Sequence, residues 1–175
     1  MRQGHDPFNV RSRRPSPLGS LASLIRKETR YAADAPIEDQ AAIDAFLAQE
    51  AIAVLSTHNA HGTIHSAPIF YVYEDGVVHL GTQVGSRRLA NLHRDPTATL
   101  LIERREDPFK YVIAYGAAAV VAGDFERRVQ ILSRLYPEEG SRAFAAHMRD
   151  EFGIVGIEFR ADRMVTVDYS RGGAA

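Results

Sequence analysis

A mainly β (α+β) fold, an antiparallel β-barrel of six to seven strands with peripheral helices, is what this 175-residue sequence predicts. Two observations carry that expectation. Apolar residues recur with a period of two in six or seven separate runs, the spacing that sends alternate side chains to opposite faces of a strand. These runs are mostly joined by tight turns, and the helical runs punctuate them instead of alternating with them, which disfavours a doubly wound parallel sheet. A chain of this length with 45% apolar and 25% charged residues suits one globular domain.

Residues 1–17 are rich in Arg, Ser, Pro and Gly and show no apolar period, so they read as a disordered arm. Leu18, Leu21, Leu24 and Ile25 have the spacing of a short helix, and residues 1–35 together form a basic, flexible arm ahead of a barrel domain over 36–172. Ile37, Ala41, Ile43, Phe46 and Leu47 mark the apolar face of a helix that starts near Asp34 or Asp39 and ends near Gln49. The period then changes to two. Ala51 to Thr57 reads as a buried strand, Asn59-Ala60-His61-Gly62 as a turn, and Thr63 to Tyr73 as a second strand. Asp75-Gly76 predicts a hairpin into a third strand, Val77 to Thr82, because glycine reaches positive φ without a Cβ clash. Ser86 caps a short helix with Leu89 and Leu92 inward, which stops at Asp95-Pro96 because proline disfavours the α conformation in the residue before it. Thr97 to Glu103 and Tyr111 to Ala122 follow as strands, with a bulge or barrel bend at Gly116. Asp124 caps a helix whose Phe125, Val129, Leu132 and Leu135 share a face, and a second helix covers Ser141 to Arg149. Ile154 to Phe159 and Met164 to Tyr169 alternate again and complete the sheet.

With no cysteine, the chain excludes disulfide frameworks, thiolate zinc sites and cysteine nucleophiles. Its net charge of −1 hides a segregation: residues 1–30 carry +5 and the remainder −6. That arm lacks aromatic interleaving and a base-reading motif, so nucleic acid is not expected as a partner. The apolar stretch Leu18 to Ile25 is too short for a signal peptide or a membrane helix, which needs ~20 apolar residues. A cytoplasmic protein with no membrane partner is the expectation. His58, His61 and His65 straddle a turn without supporting carboxylates, so no metal site is expected. Ser56 and Thr57 have no neighbouring Asp–His pair and read as hydrogen-bonding groups, and Arg104-Arg105-Glu106-Asp107 reads as a solvated loop.

The stretch that carries chemistry is Gly81-Thr82-Gln83-Val84-Gly85-Ser86-Arg87-Arg88-Leu89-Ala90-Asn91-Leu92. A strand ends at a threonine, a glycine permits a tight approach, and a helix begins with two arginines in its first turn. Unpaired N–H groups and the positive end of the helix dipole favour an anion there. Arginine forks match phosphate oxygens. Cations at a helix N-terminus oppose the dipole by ~0.3–1 kcal/mol each, so two of them are disfavoured unless an anion compensates. On local physics alone, the alternative that Ser86 merely caps while Arg87 and Arg88 are solvated stays open.

The run TQVGSRRLANLHRDPTATLLI resembles the T-N-x-G-S-R-K segment, and the strand that follows it, of the pyridoxamine 5'-phosphate oxidase-like, flavin- or deazaflavin-binding split β-barrel family. Upstream, AVLSTHNAHGTIHSAPIFYVYEDGVVHLGT has that family's order of strands and turns, and downstream YVIAYGAAAVV resembles its glycine-containing strand, so residues 45–122 are covered. The resemblance implies a homodimer with FMN, or in some branches a deazaflavin, bound in a groove between subunits. It implies that Arg87 and Arg88 hold the cofactor phosphate with help from Ser86 and Thr82. It also implies that His65, Ser66, Ala67, Pro68 and Ile69 lie along the flavin ring, partly through backbone groups, with Lys110 and Tyr111 as polar groups nearby. Pro68 suits an edge or ligand-facing position because it has no N–H for a ladder.

Departures from the family are equally specific. The C-terminus, FRADRMVTVDYSRGGAA, lacks the R-x-H substrate element of the vitamin B6 oxidases, and Phe70-Tyr71 stands where those enzymes carry a second basic residue. Oxidation of a B6 vitamer is therefore not expected. The resemblance implies hydride or electron transfer at FMN with a small-molecule redox substrate. Its alternatives are a deazaflavin-dependent reductase and a non-catalytic flavin- or haem-binding protein. No catalytic acid or base is identified.

Overall fold

Positive φ angles at Asp75 (50°) and Gly76 (77°) make the tight turn of the hairpin between the second and third strands, as the dipeptide predicts. The computed structural model describes residue 37 and residues 39–171; the expected arm, its short helix and Asp34 lie outside the described residues. Four helices and six strands run in the order α1 (Gln40–Gln49), β1 (Ile52–His58), β2 (Ile64–Glu74), β3 (Val77–Gln83), α2 (Arg87–Arg94), β4 (Thr97–Arg104), β5 (Lys110–Ala122), α3 (Phe125–Ser133), α4 (Glu138–Phe152) and β6 (Ile154–Asp168). The strands close an antiparallel barrel in the order β1-β2-β3-β6-β5-β4. No helix among the described residues is long and apolar enough to cross a membrane.

The period-two pattern has its expected effect on burial. Leu55, Tyr71, Leu80, Leu100, Ile102, Val112 and Phe159 fill the barrel interior and are essentially inaccessible. Each such side chain contributes about 1.5–3 kcal/mol by leaving water. α1 plugs one end with Ile43, Phe46 and Leu47, and Tyr71 donates from its buried hydroxyl to the Leu47 carbonyl at 2.8 Å, tying β2 to that plug. Asp39 caps α1 through the Ala41 N–H, which leaves Ala41 exposed; Ala42 is the alanine that packs.

Three expectations are corrected. The last two strands are one, β6, because the polar run from Arg160 to Arg163 is a bulge and not a turn. Tyr115 pairs with Arg163 and Gly116 with Ala161, so Asp162 is the extra residue. A Cβ at Gly116 would meet the Arg160 carbonyl oxygen at 2.0 Å, which is why glycine stands opposite the bulge. Leu135 lies beyond the end of α3 and is 43% exposed; Val129, Ile131 and Leu132 are the buried residues of that helix. Arg104 belongs to β4 and is no solvated loop residue: it pairs with Glu50 at 2.6 Å and lies over the Phe46 ring.

The seam between β2 and β3 positions the site. These strands pair only from Tyr71–Leu80 to Glu74–Val77. Before Tyr71, β2 keeps β1 on one side; after Leu80, β3 continues against β6 through Gly81, Thr82 and Gln83. The two strand segments diverge, and α3 and α4 pack beside the opening through a small core of Val129, Leu132 and Ala145 with Phe70 against it.

Candidate functional site

The opening holds a cavity of about 430 Å³. Pro68, Ile69 and Phe70 of β2 form one wall, Gly81 to Gln83 of β3 another, and Ser86 and Arg88 lie at the start of α2. Arg128 of α3 and Phe144 and Met148 of α4 complete the lining, which contains no carboxylate.

Local sequence explains how α2 begins here. Gly85 takes φ 79°, which turns the chain out of β3, and the Ser86 N–H donates to the Gln83 carbonyl. The Ser86 hydroxyl accepts from Thr82 Oγ1 at 3.0 Å and makes no capping bond to the helix, so the first-turn N–H groups are not taken by a side-chain cap. No acidic residue stands in that first turn. Leu89 and Leu92 bury the inner face of α2, and the buried Asn91 donates to Thr57 Oγ1 at 3.0 Å and to Asn59 Oδ1 at 3.1 Å, docking the helix on the end of β1.

Arg88 is half-buried, and burial lowers the basicity of its guanidinium. Arg128 is lowered first by burial and then by the charge of Arg88. Its Nη1 donates to the Gly81 carbonyl at 2.9 Å, while its Nε is the buried side-chain polar atom without a partner among the described residues. Two partly buried cations therefore line one cavity that has no counter-charge in its lining. Such a donor set is suited to an anion, and a phosphate matches its forks.

A larger cavity, about 680 Å³, lies on the other side of Arg128 against α3. Its lining mixes both signs of charge, and its polar groups are largely engaged: Arg127 pairs with Glu74 at 2.6 Å and Asp124 caps α3. His79 stands 3.8 Å from Glu158 and is lowered by burial. It lacks the unopposed positive charge of the smaller cavity.

The structure brings Pro68, Ile69, Thr82, Ser86 and Arg88 to one cavity. His65, Ser66 and Ala67 precede them along the unpaired edge of β2, with Ser66 Oγ 2.8 Å from Ser56 Oγ. Arg87 is exposed at the start of α2 and does not line the cavity. Lys110 is elsewhere: it pairs with Asp168 at 2.7 Å and borders a separate cavity near α1. Burial alone would raise the Asp168 carboxyl, but Lys110 and Ser170 hold it below the usual carboxylate range. Tyr111, the neighbour of Lys110 on β5, packs its ring against Phe109 at 5.7 Å. Sequence reasoning missed Arg128, which is one of three consecutive charges in Glu126-Arg127-Arg128 with nothing local to single it out.

Comparison with known proteins agrees with the fold. A sequence model of the family described as pyridoxamine 5'-phosphate oxidase matches residues 39–167. Among curated proteins there is no significant sequence match. The fold is similar to that of the conserved hypothetical protein Rv2991 from Mycobacterium tuberculosis, at 25% identity and a TM-score of 0.68, covering 82% of this chain and 92% of that one. An F420 reductase shares the fold at 14% identity and a TM-score of 0.56, covering 69% of this chain and 94% of the reductase. So does HutZ, the haem storage protein from Vibrio cholerae, at 15% identity and a TM-score of 0.56, with 74% and 94% covered. With the family match extending from the cap of α1 almost to the end of β6, the chain belongs to the pyridoxamine 5'-phosphate oxidase-like family of split β-barrel proteins.

Proposed function

We propose that this chain is an FMN-binding oxidoreductase that transfers hydride or electrons between the flavin and a small-molecule redox substrate, as a cytoplasmic homodimer. The observation that carries the reading is the half-buried Arg88 at an uncapped helix start, beside the Thr82 and Ser86 hydroxyls, in a cavity lining without a carboxylate. This donor set fits a phosphate monoester. Arg88 and Ser86 would hold the phosphate, with Thr82 orienting the Ser86 hydroxyl and Arg87 adding charge from solvent. His65 to Ile69 would run along the ring, where the unpaired backbone of β2 has hydrogen-bonding capacity to spare. When bound, the flavin supplies reversible acceptance of a hydride or of single electrons. The chain itself binds, orients and excludes water, the last through Pro68, Phe144 and Met148. The cavity lining offers no carboxylate or imidazole, and His65 is the one titratable side chain in the stretch of β2 that would run along the ring.

The homodimer reading rests on the outer barrel face. Pro68, Val54, Leu101, Ile113 and Val165 stand opposite one another across five strands, forming an apolar row that starts at the cavity wall. A second copy seated on this row would close the groove. Tyr111 is two residues from Ile113 on the same strand and so shares its face. It would meet the cofactor across that interface, whereas Lys110, one residue earlier, faces the other side of the strand and pairs with Asp168.

Fold similarity to an F420 reductase favours a deazaflavin as the second reading. Side-by-side titrations with FMN and F420, together with the absorbance spectrum and mass of any co-purifying molecule, decide between them. FMN binding that weakens on the order of 10- to 100-fold in Arg88→Ala supports the proposal, since bonds to a charged group are worth about 1.5–3 kcal/mol. A colourless protein that binds neither flavin, or one whose Arg88→Ala variant binds like wild type, overturns it.

A further inference from the structure

We infer that Arg128 is a second phosphate-reading residue of this cavity, reaching it from α3 and independent of the strand-to-helix motif that supplies Arg88. The inference rests on the proposed cofactor site and adds to it a residue that the sequence does not mark.

Three features separate Arg128 from a structural arginine. Structural arginines in this chain are satisfied by acceptors: Arg142 bonds both carboxylate oxygens of Glu126, and Arg127 bonds Glu74 and Gln130. Arg128 has one carbonyl, that of Gly81, and a buried Nε with no partner. The charge that acts on it is that of Arg88, a like charge on the same cavity lining. The backbone also makes room for it. A Cβ at residue 81 would stand 2.5 Å from Arg128 Nη1, so glycine at that point of β3 lets the guanidinium lie against the strand at the mouth of the anion site. A group that is desolvated, repelled and under-bonded in the free protein is stabilised when an anion arrives, because the anion accepts the unused donors and screens the repulsion.

The test uses the full chain with three probes: inorganic phosphate, riboflavin and FMN. Arg128→Met keeps the apolar stem and removes the charge; Gly81→Ala keeps the charge and displaces the flexible end of the guanidinium. Arg128→Met should melt at or above the wild-type temperature without ligand, since it removes the repulsion with Arg88, while Gly81→Ala moves the guanidinium end that its Cβ would meet at 2.5 Å. FMN affinity should fall on the order of 10- to 100-fold in both, riboflavin affinity should stay at the wild-type value, and the thermal stabilisation by phosphate should be lost. Variants that bind FMN and respond to phosphate as wild type does overturn the role of Arg128 and leave the flavin proposal standing. A wild type that ignores both flavins yet is stabilised by phosphate through Arg128 overturns the flavin proposal and supports the anion site. A protein that responds to no anion overturns both.

Discussion

Asn91→Ala should destabilise the protein by about 3–5 kcal/mol and weaken cofactor binding through the helix it anchors. Asn91 is 4% exposed and spends its amide on three partners: Thr57 Oγ1 at 3.0 Å, Asn59 Oδ1 at 3.1 Å, and the Arg94 guanidinium, which donates to its carbonyl oxygen at 3.3 Å. Each bond is worth about 1 kcal/mol net, and truncation leaves the fully buried Thr57 hydroxyl without its donor, a cost of about 1–3 kcal/mol more. The longest of the three, to Arg94, is also the most replaceable, since Arg94 donates to the His58 carbonyl as well. For a domain of this size a loss in that range lowers the melting temperature by roughly 10 °C. Urea titrations of wild type, Asn91→Ala, Thr57→Ala and the double variant measure the coupling, expected at about 1 kcal/mol because the two side chains share one bond. The first turn of α2 carries Ser86 and Arg88, so a helix that rocks on Leu89 and Leu92 alone should also hold FMN less tightly. A melting temperature within about 2 °C of wild type, with additive single effects, would refute the anchoring role.

Gly116→Ala should cost about 3 kcal/mol or more, read as a lowered urea midpoint, because its Cβ meets backbone at 2.0 Å and 2.9 Å where nothing flexible can give way. Asp168 is held below the usual carboxylate range, so its contacts with Lys110 and Ser170 contribute stability that is complete above about pH 4 and is lost as pH falls through the folded-state value. In Asp168→Asn, denaturation midpoints measured from about pH 6 down to pH 2 should be lower throughout the neutral range and should lose that part of the acid-side slope. Leu101→Arg places a charge in the middle of the apolar row from Pro68 to Val165 and should convert a dimer to a monomer by light scattering, with little change in the monomer's own fold. A persisting dimer would move the interface to another face.

The barrel was legible where local chemistry and global fold agree. Asp75-Gly76 can satisfy few backbone geometries besides the turn it makes, and the stop at Asp95-Pro96 follows from proline's steric demand alone. Gly116 announced a distortion, but not that the extra residue would be Asp162 on the partner strand; a bulge belongs to a pair of strands, and pairing is absent from a linear pattern. For the same reason Arg160 to Arg163 looked like a loop: four polar or small residues read alike whether they turn or run along the solvent side of an edge distortion. At the site, Ser86 and Arg88 lie within one strand-to-helix junction and could be read together. Arg128 reaches them from 40 residues further on, and only the packing of α3 beside the open seam gives it a role. Lys110 shows the opposite case, a residue placed by resemblance whose partner in this chain is Asp168.

A sheet that stops pairing partway along a strand leaves adhesive backbone in the open. Between Ile64 and Phe70, β2 has a neighbour on one side only, and the other side is the kind of surface on which a stray segment of another chain can add as an extra strand. Pro68 sits within that stretch and withdraws one donor from it, which spoils the regular ladder an intruding strand would need. A flat, hydrogen-bonding ring needs no such regularity. The seam is thus selective by shape of partner: poor as a template for aggregation, yet still open to a small molecule that would serve as the missing length of sheet. On the proposed reading the loaded protein would also be the sealed one, and the cofactor's first service to the chain would be quality control over its own exposed edge.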